Sequence, residues 1–317
     1  MNGAPACNTA SWGIVSTIKA DACDILDFAS HYLELGAHRL FLYLDAPCSA
    51  AFQHLKAHPK IRVTACDDAY WKRQGNRPKK HQVRQTANAT RAYHRQAKDV
   101  DWLLHCDVDE FLWSSSPAAA ELAALPPDVI CARVRPAEAL AGGDGSAFKG
   151  YVPPSRRAGA GRLYPQFGGY LNGGFLSHLH GKLFCRTGIE GLELRIHHAY
   201  LAGQANPGSA ELAGMDLCHV HARDWLSWQG HYRYRLQKGS YRPELKPARP
   251  REDGGLTVHE LLSKLETEQG EAGLRSFFDE VCADSPGLRA RLQAEGLLKI
   301  RRLELEAKRR KHFPGFR

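Results

Sequence analysis

Along the first third of the chain, short apolar runs alternate with stretches in which apolar residues recur every three or four positions. Ile14 to Ile18, Leu40 to Leu44, Ile61 to Ala65 and Trp102 to Leu104 are rich in apolar and β-branched residues and of strand length, the pattern of buried strands. Between them Ile25, Leu26, Phe28, Ala29, Tyr32, Leu33 and Leu35 repeat at helical spacing and stop at Gly36. Ala51 to Ala57 predicts a short helix and Gln82 to Ala97 a longer one. Strands alternating with helices at this interval predict βαβ units, and hence a parallel sheet.

The pattern changes downstream. Pro117 to Leu125 predicts a helix opened by proline in its favoured early position, and Val129 to Val134 another strand. Residues 141 to 174 are crowded with glycine and proline, a loop long enough to serve as a cover over a site. A strand follows at His180 to Arg186, then a helix from Asp224 to Lys238, stopped by Gly239. Beyond Pro250 the spacing predicts helices only: Val258 to Thr267, Leu274 to Cys282, Pro286 to Glu295 and Leu297 to Arg310. The expected division is therefore residues 1–240 for an α/β domain and 241–317 for a helical extension.

Composition narrows the class. An apolar share of 43% and a charged share of 24% over 317 residues are ordinary for a globular protein with a proper core. The net charge is +9, and residues 299–317 hold eight Lys or Arg against Glu304 and Glu306, so +6 lies in this tail and +3 in the rest. Such a tail is the footprint of a protein that touches an anionic surface, either membrane or nucleic acid, or else a solvated terminal helix. Nine cysteines occur with no Cys-x-x-Cys pair, which excludes a zinc ribbon and points to a reducing compartment. The first residues, Met1 to Cys7, lack a basic segment followed by an apolar core, and no run approaches a membrane span, so a cytoplasmic protein is expected.

The candidate chemistry lies in Asp101 to Trp113, where the Trp102 strand runs into Asp107, Asp109 and Glu110. Ligands of open α/β sheets bind beyond the carboxyl ends of the strands. Two aspartates at that point can turn toward one hard cation, Mg²⁺ or Mn²⁺, which bridges to substrate phosphates. Phe111, Leu112 and Trp113 then return the chain to the core. Downstream, Lys182 and Arg186 share a strand face, and His219 and His221 alternate on another. The loop Tyr70 to His81 carries Lys72, Arg73, Arg77, Lys79 and Lys80, suited to a phosphorylated ligand.

The segment Asp-Trp-Leu-Leu-His-Cys-Asp-Val-Asp-Glu-Phe resembles the Asp-x-Asp-Glu-Phe segment of GT-A glycosyltransferases of the family 2-like group, related to family 92. The resemblance extends over Trp12 to Lys19, Asp24 to His31 and Leu40 to Asp45, and covers roughly residues 11 to 240. It implies a GT-A (Rossmann-like) fold, a mostly parallel sheet flanked by helices. It also implies transfer of a sugar from a nucleotide-sugar, UDP-linked in the first instance, to a glycan or lipid-linked acceptor, with inversion. On this resemblance Asp107, Asp109 and His219 are the metal ligands, and Lys19, Asp45, Gln85, Asn88 and Asp107 surround the nucleotide. Lys182 and Arg186 would neutralise the leaving diphosphate. The acceptor's base is open among Glu110, Glu190, Glu193 and Asp216, with Glu110 in the turn itself.

Two other classes remain in view. A two-metal phosphoryl-transfer enzyme needs a further acidic cluster, for which only Asp67-Asp68 offers itself. A protein that simply binds an anionic surface would rest on the tail; nucleic acid is not the expected partner.

Overall fold

The computed structural model describes residues 9–238, 241 and 243–316; Cys7 and Gly239 lie outside them. In chain order the first elements are β1 (Trp12–Ile18), α1 (Ala22–Glu34), β2 (Arg39–Leu44), α2 (Ser49–Ala57), β3 (Ile61–Ala65), α3 (Asp68–Arg73) and α4 (His81–Arg95). Then come β4 (Trp102–His105), β5 (Glu110–Ser114), α5 (Ala118–Ala123), β6 (Cys131–Ala139), β7 (Ala147–Gly150), α6 (Ala160–Leu163) and β8 (Lys182–Arg186). The chain continues through β9 (Glu193–Leu194), β10 (Ala199–Leu201), β11 (Gln204–Ala205), β12 (Ser209–His219) and α7 (Trp225–Lys238). It closes with α8 (Val258–Val281), α9 (Pro286–Ala294), β13 (Leu298–Ile300) and α10 (Leu305–His312).

Two compact units result, one of residues 1–135, 181–217 and 304–317, the other of residues 136–180 and 218–303. The expected boundary at residue 240 falls inside the second. In the first unit β1 pairs parallel with β2 and with β4, and β2 parallel with β3. Every residue of β1 is buried, as a strand flanked on both sides requires, whereas in β3 at the margin only Ile61 is. Beyond β4 the pairing turns antiparallel, β4 to β8 and β8 to the first half of β6. The α/β fold is therefore as the sequence implies, with β3-β2-β1-β4 as its parallel part.

Helix α1 begins where the Asp21 side chain accepts from the Asp24 amide at 2.9 Å, an N-cap worth about 1 kcal/mol. It ends at Gly36, whose φ of +88° suits glycine. Its inner face buries Phe28, Ala29 and Tyr32 completely, and each of the two large rings contributes about 1.5–3 kcal/mol by leaving water.

In the second unit, the end of β6 pairs antiparallel with β7, and β7 with β13. Helices α7, α8 and α9 surround a core that includes Trp228, Tyr232, Phe277 and Phe278. Trp225, Trp228 and Tyr232, which recur at helical spacing, stack on one another with centroids 5.4 and 5.3 Å apart. That is packing, in place of the open platform for a sugar ring that such spacing also allows. Two expectations for the C-terminal segment fail. Residues 297–310 are not one helix, because Leu298–Ile300 pairs with β7 as a strand. Residues 304–317 belong to the first unit.

The basic tail is likewise not a free charged footprint. Lys308 Nζ lies 3.3 Å from His31 Nδ1, Arg309 pairs with the buried Asp27, and Lys311 and His312 both bind Glu34 at 2.8 Å. Arg310 pairs with Glu306 at 2.6 Å. Three of the tail's eight Lys and Arg side chains, Lys308, Arg309 and Lys311, are thus directed onto α1. No helix among the described residues is long and apolar enough to cross one.

Candidate active site at the end of strand β4

Strands β1, β2 and β3 are laid down in one direction, and the chain then returns to add β4 on the other side of β1. The carboxyl ends of β1 and β4 therefore flank a topological switch point, where open α/β sheets bind ligands. His105 closes β4, level with Val15 of β1, and Asp107 follows two residues later.

The turn is built reciprocally. The Glu110 amide donates to the Asp107 carbonyl at 3.1 Å, and the Asp107 amide donates to Glu110 Oε2 at 2.9 Å. Tyr32 Oη donates to the Glu110 carbonyl at 3.0 Å, and the His31 ring donates to the Leu112 carbonyl at 2.7 Å. Burial, with Lys308 beside it, pushes His31 down to about 3, so the ring is neutral. The hydrophobic Phe111-Leu112-Trp113 is thus strand β5, held against α1.

Lys182, wholly buried at the start of β8, supplies the turn's counter-charge. Its Nζ lies 2.7 Å from Asp107 Oδ2 and 3.3 Å from Glu110 Oε2. The other Asp107 oxygen accepts from Gln85 of α4. Burial opposes ionisation of Asp107, but the Lys182 ammonium and the dipoles around it outweigh that and hold the carboxyl well below its usual range. Burial likewise opposes charging Lys182, and Asp107 and Glu110 overcome it to raise the ammonium.

A second row stands behind this one. Asn88 donates to Thr17 Oγ1 at 3.1 Å and accepts from Tyr70 Oη at 2.6 Å, so Gln85 and Asn88 do point to the carboxyl edge of the sheet. Lys19, exposed one residue beyond β1, is on that edge too. His105 donates through Nδ1 to the Arg195 carbonyl at 3.3 Å and is pushed down to about 4 by burial and by Lys182. His197 donates through Nδ1 to the Gly181 carbonyl at 2.9 Å, and its charge acts on Asp107.

Four assignments change. Asp45 does not face outward to a ribose: its carboxylate, 1% exposed, binds Arg77 at 3.1 Å, His81 at 3.0 Å and Arg84 at 2.8 Å. It anchors the basic loop instead. Burial opposes its ionisation, and His81 and Arg84 prevail to lower it. Lys182 and Arg186 share a face but not an end of β8. Arg186 pairs with Trp102, at the start of β4, and donates to the Val129 and Pro126 carbonyls at 2.9 and 3.0 Å while covering the Trp102 ring. Four strand residues are about 13 Å, so these two cations do not act together. Glu110 is 8% exposed at its side chain and bound within the turn, which does not suit a base that must meet an acceptor hydroxyl. His219 ends β12 and belongs to the second unit, where its ring centroid is 5.9 Å from that of His221. The two imidazoles do not continue one strand as their alternation suggested.

The adjacent pair His197-His198 is visible in the sequence, but its contact with Gly181, sixteen residues away, is not. Among the described residues no group of three or more His, Cys, Asp or Glu side chains is arranged to hold a metal ion.

No family model matches the chain, and no curated protein matches it. Two solved structures are similar to it over part of their length. One is the bifunctional glycosyltransferase WbbM in its apo form, at 12% identity and a TM-score of 0.28, covering 40% of this chain and 23% of that one. The other is the mannosyltransferase Ktr4p from S. cerevisiae, at 14% identity and a TM-score of 0.27, covering 44% and 42%. The chain spans less than half of either, and likeness at so low a score decides neither fold nor activity.

Proposed function

We propose that the chain is a glycosyltransferase that takes a nucleotide-sugar, UDP-linked in the first instance, and passes the sugar to a hydroxyl of a glycan or lipid-linked acceptor. The observation that carries this reading is the acidic turn Asp107–Glu110, held in one geometry beside the switch point of a parallel sheet. Inversion at the anomeric carbon is kept from the sequence resemblance.

The donor set suits a divalent ion. It is all carboxylate oxygen, and Mg²⁺ or Mn²⁺ is commonly held by one or two carboxylates together with substrate phosphates. Asp107 and Asp109 would hold it, with the donor's phosphate oxygens completing its shell. Bound there, the ion would neutralise the donor's diphosphate. Lys182 fixes Asp107 and Glu110 against their mutual repulsion, which keeps the turn ready before ligand arrives. Gln85 sets the remaining Asp107 oxygen. Asp45 holds Arg77 and Arg84, so that the basic loop presents charge at the same sheet edge.

A phosphoryl-transfer enzyme with two ions is less well supported. Asp67 of the Asp67-Asp68 pair accepts from the Tyr70 amide at 2.7 Å as the cap of α3. Calorimetric titration of UDP-sugars with and without Mn²⁺ tests the proposal. Binding that requires the ion and is lost in Asp109→Ala supports it; binding that ignores both ion and substitution overturns it.

A further inference from the structure

Strands β6 and β8 set two cysteines face to face. Cys131 is the register partner of Cys185 in this antiparallel pair. The neighbouring pair is bridged by the Arg186 amide, which donates to the Ile130 carbonyl at 2.8 Å. Because bridged and unbridged pairs alternate along an antiparallel ladder, Cys131 and Cys185 occupy an unbridged position, where side chains approach most closely and Cα atoms lie about 4.5 Å apart. That separation is inside the range a disulfide accepts, roughly 4.4–6.8 Å. Both thiols are free, and they are hydrogen-bonded to each other.

We propose that Cys131 and Cys185 form a peroxide-sensitive dithiol that closes to a cross-strand disulfide. The oxidant is a small hydroperoxide, able to enter where a bulky disulfide cannot. In the first step the Cys131 sulfur attacks one peroxide oxygen. An S–O bond forms, the O–O bond breaks, and the departing hydroxide takes the thiol's proton as water, leaving a sulfenic acid. In the second the Cys185 sulfur attacks the Cys131 sulfur, the S–S bond forms, and the hydroxyl leaves with the Cys185 proton as a second water. Two thiols lose two electrons, and peroxide becomes two waters.

The roles are unequal for a physical reason. The hydrogen bond from Cys185 lowers the Cys131 thiol despite burial, while the same bond and burial push Cys185 well up. Cys131 is thus the attacking sulfur and Cys185 the one that resolves. Burial sets the pace. Cys131 and Cys185 are 0% and 2% exposed, so oxidation waits on opening of the β6/β8 ladder and runs slower than at the half-exposed Cys23 and Cys48.

The full-length chain is treated with hydrogen peroxide, its remaining thiols are blocked with N-ethylmaleimide under denaturing conditions, and the digest is analysed by mass spectrometry. The expected product is a peptide joining Cys131 to Cys185, 2 mass units below the sum of the reduced pair and restored by dithiothreitol. In Cys185→Ala, dimedone is expected to trap the Cys131 sulfenic acid; in Cys131→Ala the linked peptide is absent. Should either variant fold poorly, the native chain alone decides. Both cysteines blocked by maleimide after Cys23 and Cys48 have oxidised, or linked to other partners, overturns the proposal.

Discussion

Replacing Lys182 by methionine isolates the physical core of the site. The substitution keeps the length of the buried side chain but removes an ammonium 2.7 Å from Asp107 and 3.3 Å from Glu110. Breaking a buried ion pair and leaving its partner uncompensated costs about 3–5 kcal/mol. The Asp107 side chain is 32% exposed, so water recovers part of this, and about 3 kcal/mol is the expected loss. Thermal melting would show it as a fall in Tm of about 6–12 °C. The pH dependence is the sharper signature. In the native chain Asp107 sits below its unfolded value of about 3.9, so its contribution is present above that pH and fades as the pH falls through the lower, folded value. Lys182, raised above about 10.4, contributes fully below that pH and loses its effect as the pH rises through the folded value. In Lys182→Met the two carboxylates lack their counter-ion and their values rise. The variant's deficit should therefore be largest near pH 8 and shrink as the pH approaches 5. Melts across that range test this. A deficit under about 1 kcal/mol, or one that stays constant with pH, would refute the reasoning.

Gly181→Ala should fail for a steric reason, since a Cβ there would meet the Val134 carbonyl at 2.0 Å at a φ of +64°; a loss of several kcal/mol is expected in denaturant titration. Asp45→Asn should leave the fold cooperative but free the basic loop, seen as faster proteolysis within residues 72–80 and as weaker UDP binding by about tenfold, the order of one lost charge-assisted contact. The full chain should not sediment with anionic phospholipid vesicles at physiological salt, because Arg309, Lys311 and His312 are engaged by Asp27 and Glu34. Arg309→Ala should lower stability by about 3 kcal/mol through loss of its ion pair with the buried Asp27.

The parallel half of the sheet was legible because a strand buried on both faces must be apolar throughout. Ile14 to Ile18 and Leu40 to Leu44 leave little room for another interpretation, and the carboxyl ends of those strands then locate the edge on which Asp107 sits. What stayed hidden is long-range. That Lys182 neutralises Asp107 and Glu110 depends on antiparallel register between β4 and β8, to which periodicity is blind. Spacing alone placed Arg186 beside Lys182, when the strand's length carries it to the opposite edge. Asp45 looked like a ligand contact because local sequence does not show that Arg77, His81 and Arg84 converge on it. The final segment misled for a related cause: a dense run of basic residues has the same composition whether it faces solvent or the acidic row Asp27 and Glu34 of α1.

The return of residues 304–317 to the first unit bears on how the polypeptide matures. Asp27 and its partner Arg309 stand 282 positions apart, so this contact closes a far longer loop than the strand-helix-strand pairings beside it. A folding intermediate with α1 already packed and α10 not yet docked is the expected consequence.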